Sequence, residues 1–228
     1  MTAYPSDRAP SAAAPGDPAK AFTGPTELGI ARAAALFDQL DPGRALATLE
    51  PVLAADPHSA DGWILMARLR LALDQPEAAL DAATRALPLA PEDPRPLALA
   101  SRALTMLGRH DEAITMGYRA VVADPRNPLW HDRIAWALLA ADRQIADAEQ
   151  AARTAIGLDP HEAHYYFTHG VMLDALGHVD QARQALLISL RMEPENPVAQ
   201  HRLAVLNGEA RPEPEKKKRG WKLFGKKD

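Results

Sequence analysis

Residues 160–194 read PHEAHYYFTHGVMLDALGHVDQARQALLISLRMEP, a helix-like segment that begins and ends at a proline. Prolines recur at this interval along the chain: the gaps are 34, 34, 35 and 34 residues between Pro57, Pro91, Pro125, Pro160 and Pro194. A period near 34 residues with two helical patterns per interval indicates an array of helix–turn–helix repeats. The sequence therefore predicts an all-α fold built by repetition.

Two helical patterns fit between successive prolines, and turn signals such as Asp41-Pro42-Gly43 and Gly177-His178 separate them. The predicted pairs lie at about 26–39 with 43–55, 60–73 with 76–88, 94–107 with 110–123, 128–141 with 144–158, and 162–175 with 178–192. A last amphipathic segment, at about 196–207, has no following partner. We expect it to cover the fifth repeat as a capping helix.

One pattern of small and large residues appears when the segments are aligned on their prolines. It is most complete in the fifth unit, which has Tyr166, Gly170, Leu173, Gly177, Ala182, Leu186, Ser189 and Pro194. Each unit resembles a tetratricopeptide repeat (TPR). This resemblance implies a right-handed superhelical solenoid of about five units plus a C-terminal capping helix. Two departures stand out, because Gly29 occupies the aromatic position of the first unit and an extra residue precedes Ala148 in the fourth.

Composition divides the chain into three parts. Residues 1–25 are rich in Ala and Pro and lack apolar periodicity, so we expect them to be disordered. Residues 26–208 form the predicted repeat domain, with units at about 26–59, 60–93, 94–127, 128–162 and 163–196 and the capping helix at 196–207. Residues 209–228 form a basic and aromatic tail that we also expect to be disordered.

The net charge of −4 conceals an asymmetry. Residues 211–228 hold eight basic and three acidic residues, a charge of +5, which leaves −9 for residues 1–210. The chain has no cysteine, no secretory-signal pattern at its start, and no apolar run long enough to span a bilayer. These features favour a cytoplasmic protein, and the Ala-, Pro- and Arg-rich composition is typical of a bacterial source.

The sequence contains no complete motif for catalysis or metal binding. His161-Glu162-Ala163-His164 has two histidines three positions apart, whereas a zinc-protease helix needs them four apart with Glu after the first. No glycine-rich phosphate loop and no nucleophile elbow occurs. We therefore expect no enzyme activity, no metal site and no cofactor.

The family resemblance implies a groove lined by the first helix of each unit, where such arrays bind peptides. Helical spacing from the small core residues places eight side chains there: Arg68, Arg102, Trp136, Arg133, Phe167, His164, His201 and Arg202. Arginine pairs with carboxylates and aromatic rings anchor apolar groups, so the expected partner is a peptide or protein with acidic and apolar residues. The lysine and asparagine clamp of chaperone-associated family members has no match at the corresponding positions.

The tail combines basic side chains with the large apolar side chains of Trp, Leu and Phe over a dozen residues. They are Lys216, Lys217, Lys218, Arg219, Trp221, Lys222, Leu223, Phe224, Lys226 and Lys227. Basic residues attract anionic lipids and aromatic residues insert at the interface, so the tail indicates peripheral attachment at the inner face of a membrane. Nucleic-acid binding is less favoured. Docking to another protein, contact with the acidic body and a free solvated tail are further alternatives.

Three functional hypotheses follow from these features. The first is a non-enzymatic scaffold or adaptor that binds a peptide or protein in the groove and is tethered to an anionic membrane by its tail. The second is a structural scaffold that assembles from copies of itself. The third is a regulatory subunit of a neighbouring enzyme complex. The sequence leaves the partner and the oligomeric state open.

Overall fold

A computed structural model describes residues 24–210, and within that range all regular structure is helical. The helices are α1 (Pro25–Asp38), α2 (Pro42–Ala55), α3 (Ala60–Ala72), α4 (Pro76–Ala86), α5 (Pro94–Met106), α6 (His110–Ala123), α7 (Pro128–Ala140), α8 (Ile145–Leu158), α9 (Ala163–Ala175), α10 (Val179–Met192) and α11 (Pro197–Leu206). The predicted helical pairs and the final helix are confirmed, with bounds that differ by one or two residues.

The described chain divides into two compact units, residues 24–103 and 104–210. In the first unit α1 packs on α2, α3 packs on α4, and α2 also contacts α3. In the second unit α7 packs on α8 and α9 on α10, while α6 contacts α7 and α8 contacts α9. Each unit is therefore a stack of helix–turn–helix repeats. The predicted capping helix α11 packs on α10, as expected.

Proline and short polar side chains set the helix starts. Six helices begin with a proline, whose missing N–H group would be unpaired in the first turn anyway. Asp41 caps α2 by accepting a 3.0 Å hydrogen bond from the N–H group of Arg44. Asn196 caps α11 by accepting bonds from the N–H groups of Val198 and Ala199.

The recurring prolines end the second helices. A proline disfavours the helical conformation in the residue before it, and Asp56, Asp124, Asp159 and Glu193 all leave that conformation, with φ between −128° and −145°. The predicted end of α4 at about residue 88 was two residues too long. Pro88 has no N–H group to continue the helix, and α4 ends at Ala86.

A second marker with the same interval lies after the first helix of each repeat. Residues with left-handed backbone occur there at Leu40, Asp74, Gly108, Asp142 and Gly177. This conformation reverses the chain direction at the end of a helix. The fourth repeat has a further left-handed residue, Gln144, in the turn before α8. The extra residue of that repeat therefore lies in this turn.

Small residues form the contact between the two helices of each repeat. The second helix of each of the five repeats has a fully buried alanine near its start: Ala45, Ala79, Ala113, Ala148 and Ala182. The facing small residues of the first helices are also buried: Ala33, Ala67, Ser101, Ala135 and Gly170. Small side chains allow the helix backbones to approach closely, and leucines such as Leu49 and Leu186 fill the space beside them.

The predicted disordered segments, 1–25 and 209–228, lie almost wholly outside the described residues. Pro25 is described and begins α1, one residue before the predicted start of the domain.

None of the helices between residues 24 and 210 has the length and apolar character needed to cross a membrane.

Candidate functional site

The first helices of the first two repeats form an open pocket of about 410 Å³. Its lining is Glu27, Ile30, Ala31 and Ala34 of α1, Asp61, Ile64, Leu65 and Arg68 of α3, and Arg95 of α5. On α1 and on α3 the lining positions follow the spacing i, i+3, i+4 and i+7, which is one face of a helix. The two sets are 34 residues apart, so the pocket is made by the same face of consecutive repeats.

Carboxylates gather where α1 and α3 begin. Glu27 and Asp61 lie in the first turns of these helices, where the helix dipole favours negative charge. Arg95 donates to Asp61 over 2.8 Å and pairs with Asp93 over 2.6 Å. The hydrogen bond with Asp93 and the pairing with Asp61 raise the pKa of Arg95, so its positive charge is fixed.

The other end of the pocket carries Arg68. Its guanidinium carbon lies 5.2 Å from the centre of the Phe37 ring, within the range of a cation–π contact. Between Arg68 and the acidic end, the walls are Ile30 and Ala31 of α1 and Ile64 and Leu65 of α3. The pocket therefore has an apolar middle between two charged ends of different chemistry.

The second unit contains a buried polar network between α7 and α9. The indole N–H of Trp136 donates to Oγ1 of Thr168 over 3.1 Å, and the Thr168 hydroxyl donates to Oδ1 of Asp132 over 2.7 Å. Asp132 and Thr168 are fully buried. Hydrogen bonding offsets the cost of burying these polar groups.

His164 and Arg133 complete this network around Asp132. Nε2 of His164 lies 3.3 Å from the Asp132 carboxylate, and a guanidinium nitrogen of Arg133 lies 3.7 Å from it. Burial favours the neutral acid, but the charges of His164 and Arg133 and the hydrogen bonds of His164 and Thr168 outweigh it and lower the pKa of Asp132. Because this carboxylate only accepts hydrogen bonds, Nε2 of His164 carries the hydrogen.

Aromatic rings pack around the same network. The Phe167 ring centre lies 6.3 Å from that of Trp136 and 6.1 Å from that of His164. Burial and the nearby Asp132 carboxylate raise the pKa of Tyr165, so this phenol stays protonated. The cluster joins two repeats through polar and aromatic contacts.

Family models show where this chain belongs. Models of the tetratricopeptide repeat match residues 36–103 and residues 133–197. The chain is a member of the tetratricopeptide repeat family. Proteins of this family are generally scaffolds for protein–protein interaction and not enzymes.

Solved TPR structures share the fold. The chain is similar to TTC0263, a TPR protein of Thermus thermophilus, with a TM-score of 0.72 and 17% identity over 80% of this chain and 98% of the other. It is also similar to PilF of Pseudomonas aeruginosa, with a TM-score of 0.64 and 18% identity over 81% of this chain and 85% of the other. A third similar structure is YrrB, a TPR protein with an unusual peptide-binding site; its TM-score is 0.54 and its identity 19% over 76% of this chain and 89% of the other. No curated protein matches in sequence.

The predicted groove residues of this TPR chain lie in several different environments. Arg68 lines the pocket of the first unit, and Arg102 is half-buried on α5 of the same unit. Arg133, Trp136, His164 and Phe167 meet in the buried network of the second unit. His201 is exposed on α11, and its neighbour Arg202 pairs with Asp174 over 3.3 Å. The predicted tail residues, 216–227, lie outside the described residues.

Two features of these sites were not predicted. Glu27 and Asp61 were not proposed as binding residues, although they occupy equivalent positions in consecutive units, and this regularity was a usable signal. The burial of Asp132 and Thr168 and the hydrogen bond between them were not predicted either. In the part of the chain that the structure describes, no group of three or more His, Cys, Asp or Glu side chains could hold a metal ion.

Proposed function

We propose that this TPR protein is a non-enzymatic adaptor that binds a peptide, or an extended segment of a partner protein, on the surface of its first helices. The supporting observation is the pocket of about 410 Å³ between α1 and α3. Its volume is in the range of ligand-binding clefts, and it combines apolar walls with a few charged groups that fix orientation. Two packed helices present it, so the binding surface is formed before the partner arrives.

In this pocket, apolar side chains provide binding affinity, and charged side chains fix the position of the partner along the pocket. The aliphatic side chains of Ile64 and Leu65 cover apolar parts of the partner. Arg68 and Arg102 occupy equivalent positions of consecutive repeats, and a guanidinium group has five N–H donors in a planar fork that fits carboxylates.

A pocket-filling substitution tests this function. Ala34 lines the pocket, whereas its neighbour Ala35 is exposed and does not line it. Affinity purification from native cells should recover a partner with the wild-type chain and with Ala35→Trp but not with Ala34→Trp. Circular dichroism and thermal unfolding establish that both variants are folded. Equal recovery of the same partner by both variants would contradict the assignment of the pocket.

We also propose that the tail tethers the adaptor to an anionic membrane surface. The sequence of the tail supports this, because several basic groups within reach of an anionic bilayer contribute about 1 kcal/mol each and aromatic rings insert at the interface. The full chain should sediment with vesicles that contain phosphatidylserine, and a chain without residues 216–228 should not. A variant with Trp221, Leu223 and Phe224 changed to Ser keeps the charge and should bind more weakly. Equal sedimentation of all three chains would exclude the tether.

A further inference from the structure

The pocket of the first unit is electrically polarised along the helix axes. At the end where α1 and α3 begin, Glu27 and Asp61 line the pocket, and Asp93 is bound to the adjacent Arg95. Carboxylates therefore outnumber the guanidinium group three to one among these residues. Seven positions along α3 from Asp61, the lining residue is the cation Arg68. The pocket presents negative charge at one end and positive charge at the other.

The separation of these ends sets the length of a matching ligand. Seven residues of α-helix advance about 10 Å, which is the separation of Asp61 and Arg68 along the axis of α3. An extended peptide in the polyproline II conformation rises about 3.1 Å per residue and returns to the same face every third residue. Side chains at positions i and i+3 of such a peptide therefore point to the same side, about 9 Å apart.

The middle of the pocket sets the character of the intervening residues. Ile30 and Ile64 occupy equivalent positions of the two repeats, as do Ala31 and Leu65, and all four line the pocket. These side chains offer no hydrogen-bond donor or acceptor, so a polar group placed against them would lose its hydration without compensation. An aliphatic side chain suits this wall.

We propose that the pocket selects a bipolar partner segment: a basic residue, two residues of which at least one is aliphatic, and an acidic residue. The basic group lies at the Glu27 and Asp61 end and the acidic group meets Arg68. The intervening side chains point about 120° to either side, so the aliphatic one packs on a wall of the pocket, against Ile64 or against Ala31. This selectivity rests on the proposed function as an adaptor. It goes beyond that function because it states the charge pattern of the segment that is bound.

Three labelled hexapeptides test the charge pattern against the full chain by fluorescence anisotropy. Each is acetylated and amidated, and the sequences are Gly-Lys-Val-Leu-Glu-Gly, Gly-Lys-Val-Leu-Lys-Gly and Gly-Glu-Val-Leu-Glu-Gly. The wild-type chain should bind the bipolar peptide about fivefold more tightly than either of the others, which is the scale of one matched ion pair at a protein surface. Raising the ionic strength should reduce this preference.

Charge reversal of each end should change the preference in opposite directions. Arg68→Glu should make the doubly basic peptide the tightest ligand. Glu27→Lys balances the charges at the other end, because Asp61 and Asp93 then face Lys at position 27 and Arg95, so it should remove the preference for the bipolar peptide over the doubly acidic one. Glu27 is exposed, so the second variant keeps the test valid if loss of the contact between Arg68 and Phe37 destabilises the first. An unchanged order of affinities in Glu27→Lys, or no binding of any peptide to the wild-type chain, would overturn the bipolar pattern.

The outcomes separate this inference from the function on which it rests. If Ala34→Trp abolishes partner capture while the three peptides bind equally, the adaptor function stands and the bipolar pattern is wrong. If Ala34→Trp leaves capture unchanged, the proposed function itself is wrong.

Discussion

The hydroxyl group of Thr168 donates a 2.7 Å hydrogen bond to Oδ1 of Asp132 and accepts one from the indole N–H of Trp136. Asp132 and Trp136 belong to α7 and Thr168 to α9, so a single hydroxyl joins the first helices of two consecutive repeats. All three side chains are buried. In a solenoid, where each repeat contacts mainly its neighbours, such a bond contributes directly to the coupling between repeats.

Replacing Thr168 with Val should destabilise the second unit. Valine has nearly the same shape but leaves the Asp132 carboxylate without one donor and the Trp136 indole without its acceptor. We expect the free energy of unfolding to fall by about 1.5–3 kcal/mol, the range for a hydrogen bond to a charged group. Thr168→Ser is the matched control, since it keeps the hydroxyl and should cost much less. Urea unfolding measures both, and equal losses would show that packing matters more than the hydrogen bond.

Acid should weaken the fold through Asp132. The folded state lowers the pKa of Asp132 below the unfolded value of about 3.9, so the native state favours the ionised form. This contribution is fully present above the unfolded pKa and is lost as the pH falls through the folded pKa. Asp132→Asn should cost about 2 kcal/mol at neutral pH, because the buried Thr168 hydroxyl loses its hydrogen bond to a charged acceptor. The free energy of unfolding of the Asp132→Asn variant should also fall less than that of the wild-type chain between neutral pH and pH values below about 4. A parallel decline in both chains would contradict this role.

In the first repeat, the small and the large residue of one helix–helix contact are interchanged: Gly29 stands where the second repeat has a large residue, and Val52 stands where the other repeats have a small one. The positions equivalent to Val52 are buried alanine or serine, as at Ala86, and the position equivalent to Gly29 is Trp63 in the second repeat. A Cβ atom at Gly29 would overlap Cγ2 of Val52. Gly29→Ala should therefore lower the free energy of unfolding by about 1 kcal/mol.

The same substitution should have the opposite sign once Val52 is small. In a Val52→Ala background the overlap is gone, and alanine is favoured over glycine within a helix by about 1 kcal/mol. A double-mutant cycle on the unfolding free energies should thus give a coupling of about 2 kcal/mol. Additive effects of the two substitutions would disprove the size exchange.

Left-handed turn residues give a matched pair of predictions. Leu40 has φ of 62° and is 63% exposed, so its side chain gains little from burial. Leu40→Gly should raise the free energy of unfolding by about 0.5 kcal/mol, because relief of strain exceeds the entropy that glycine adds to the unfolded chain. At the equivalent Gly177, φ is 76° and an added Cβ would meet no neighbour. Gly177→Ala should therefore lower the free energy by about 1 kcal/mol through backbone strain alone. Thermal unfolding of both variants checks the two signs.

The repeat fold was predictable because its signals are local. A proline disfavours the helical conformation in the residue before it, so the interval between the recurring prolines locates the ends of the second helices. Departures from the pattern were visible as well, including Gly29 and the extra residue before Ala148. Their causes were not visible. The Val52 side chain that faces Gly29 and the left-handed Gln144 depend on packing and turn geometry that the repeat pattern does not specify.

The candidate sites were predictable only in part, since they depend on contacts between repeats. Helical spacing placed Arg68 on the face of α3 that lines the pocket. It gave no indication that Asp132 would be fully buried beneath Thr168 and His164. Burial of one position depends on the side chains of two neighbouring helices at once, and periodicity along a single helix does not contain that information.

Site-specific photocrosslinking tests most directly whether the face between α1 and α3 binds the partner. A photoreactive benzoylphenylalanine would replace Ala34, which lines the pocket, or the exposed Ala35 beside it. After irradiation in native cells, position 34 should give a crosslinked adduct with one partner, and position 35 should give little or none. Equal crosslinking from both positions, or adducts from position 35 alone, would contradict binding in this pocket.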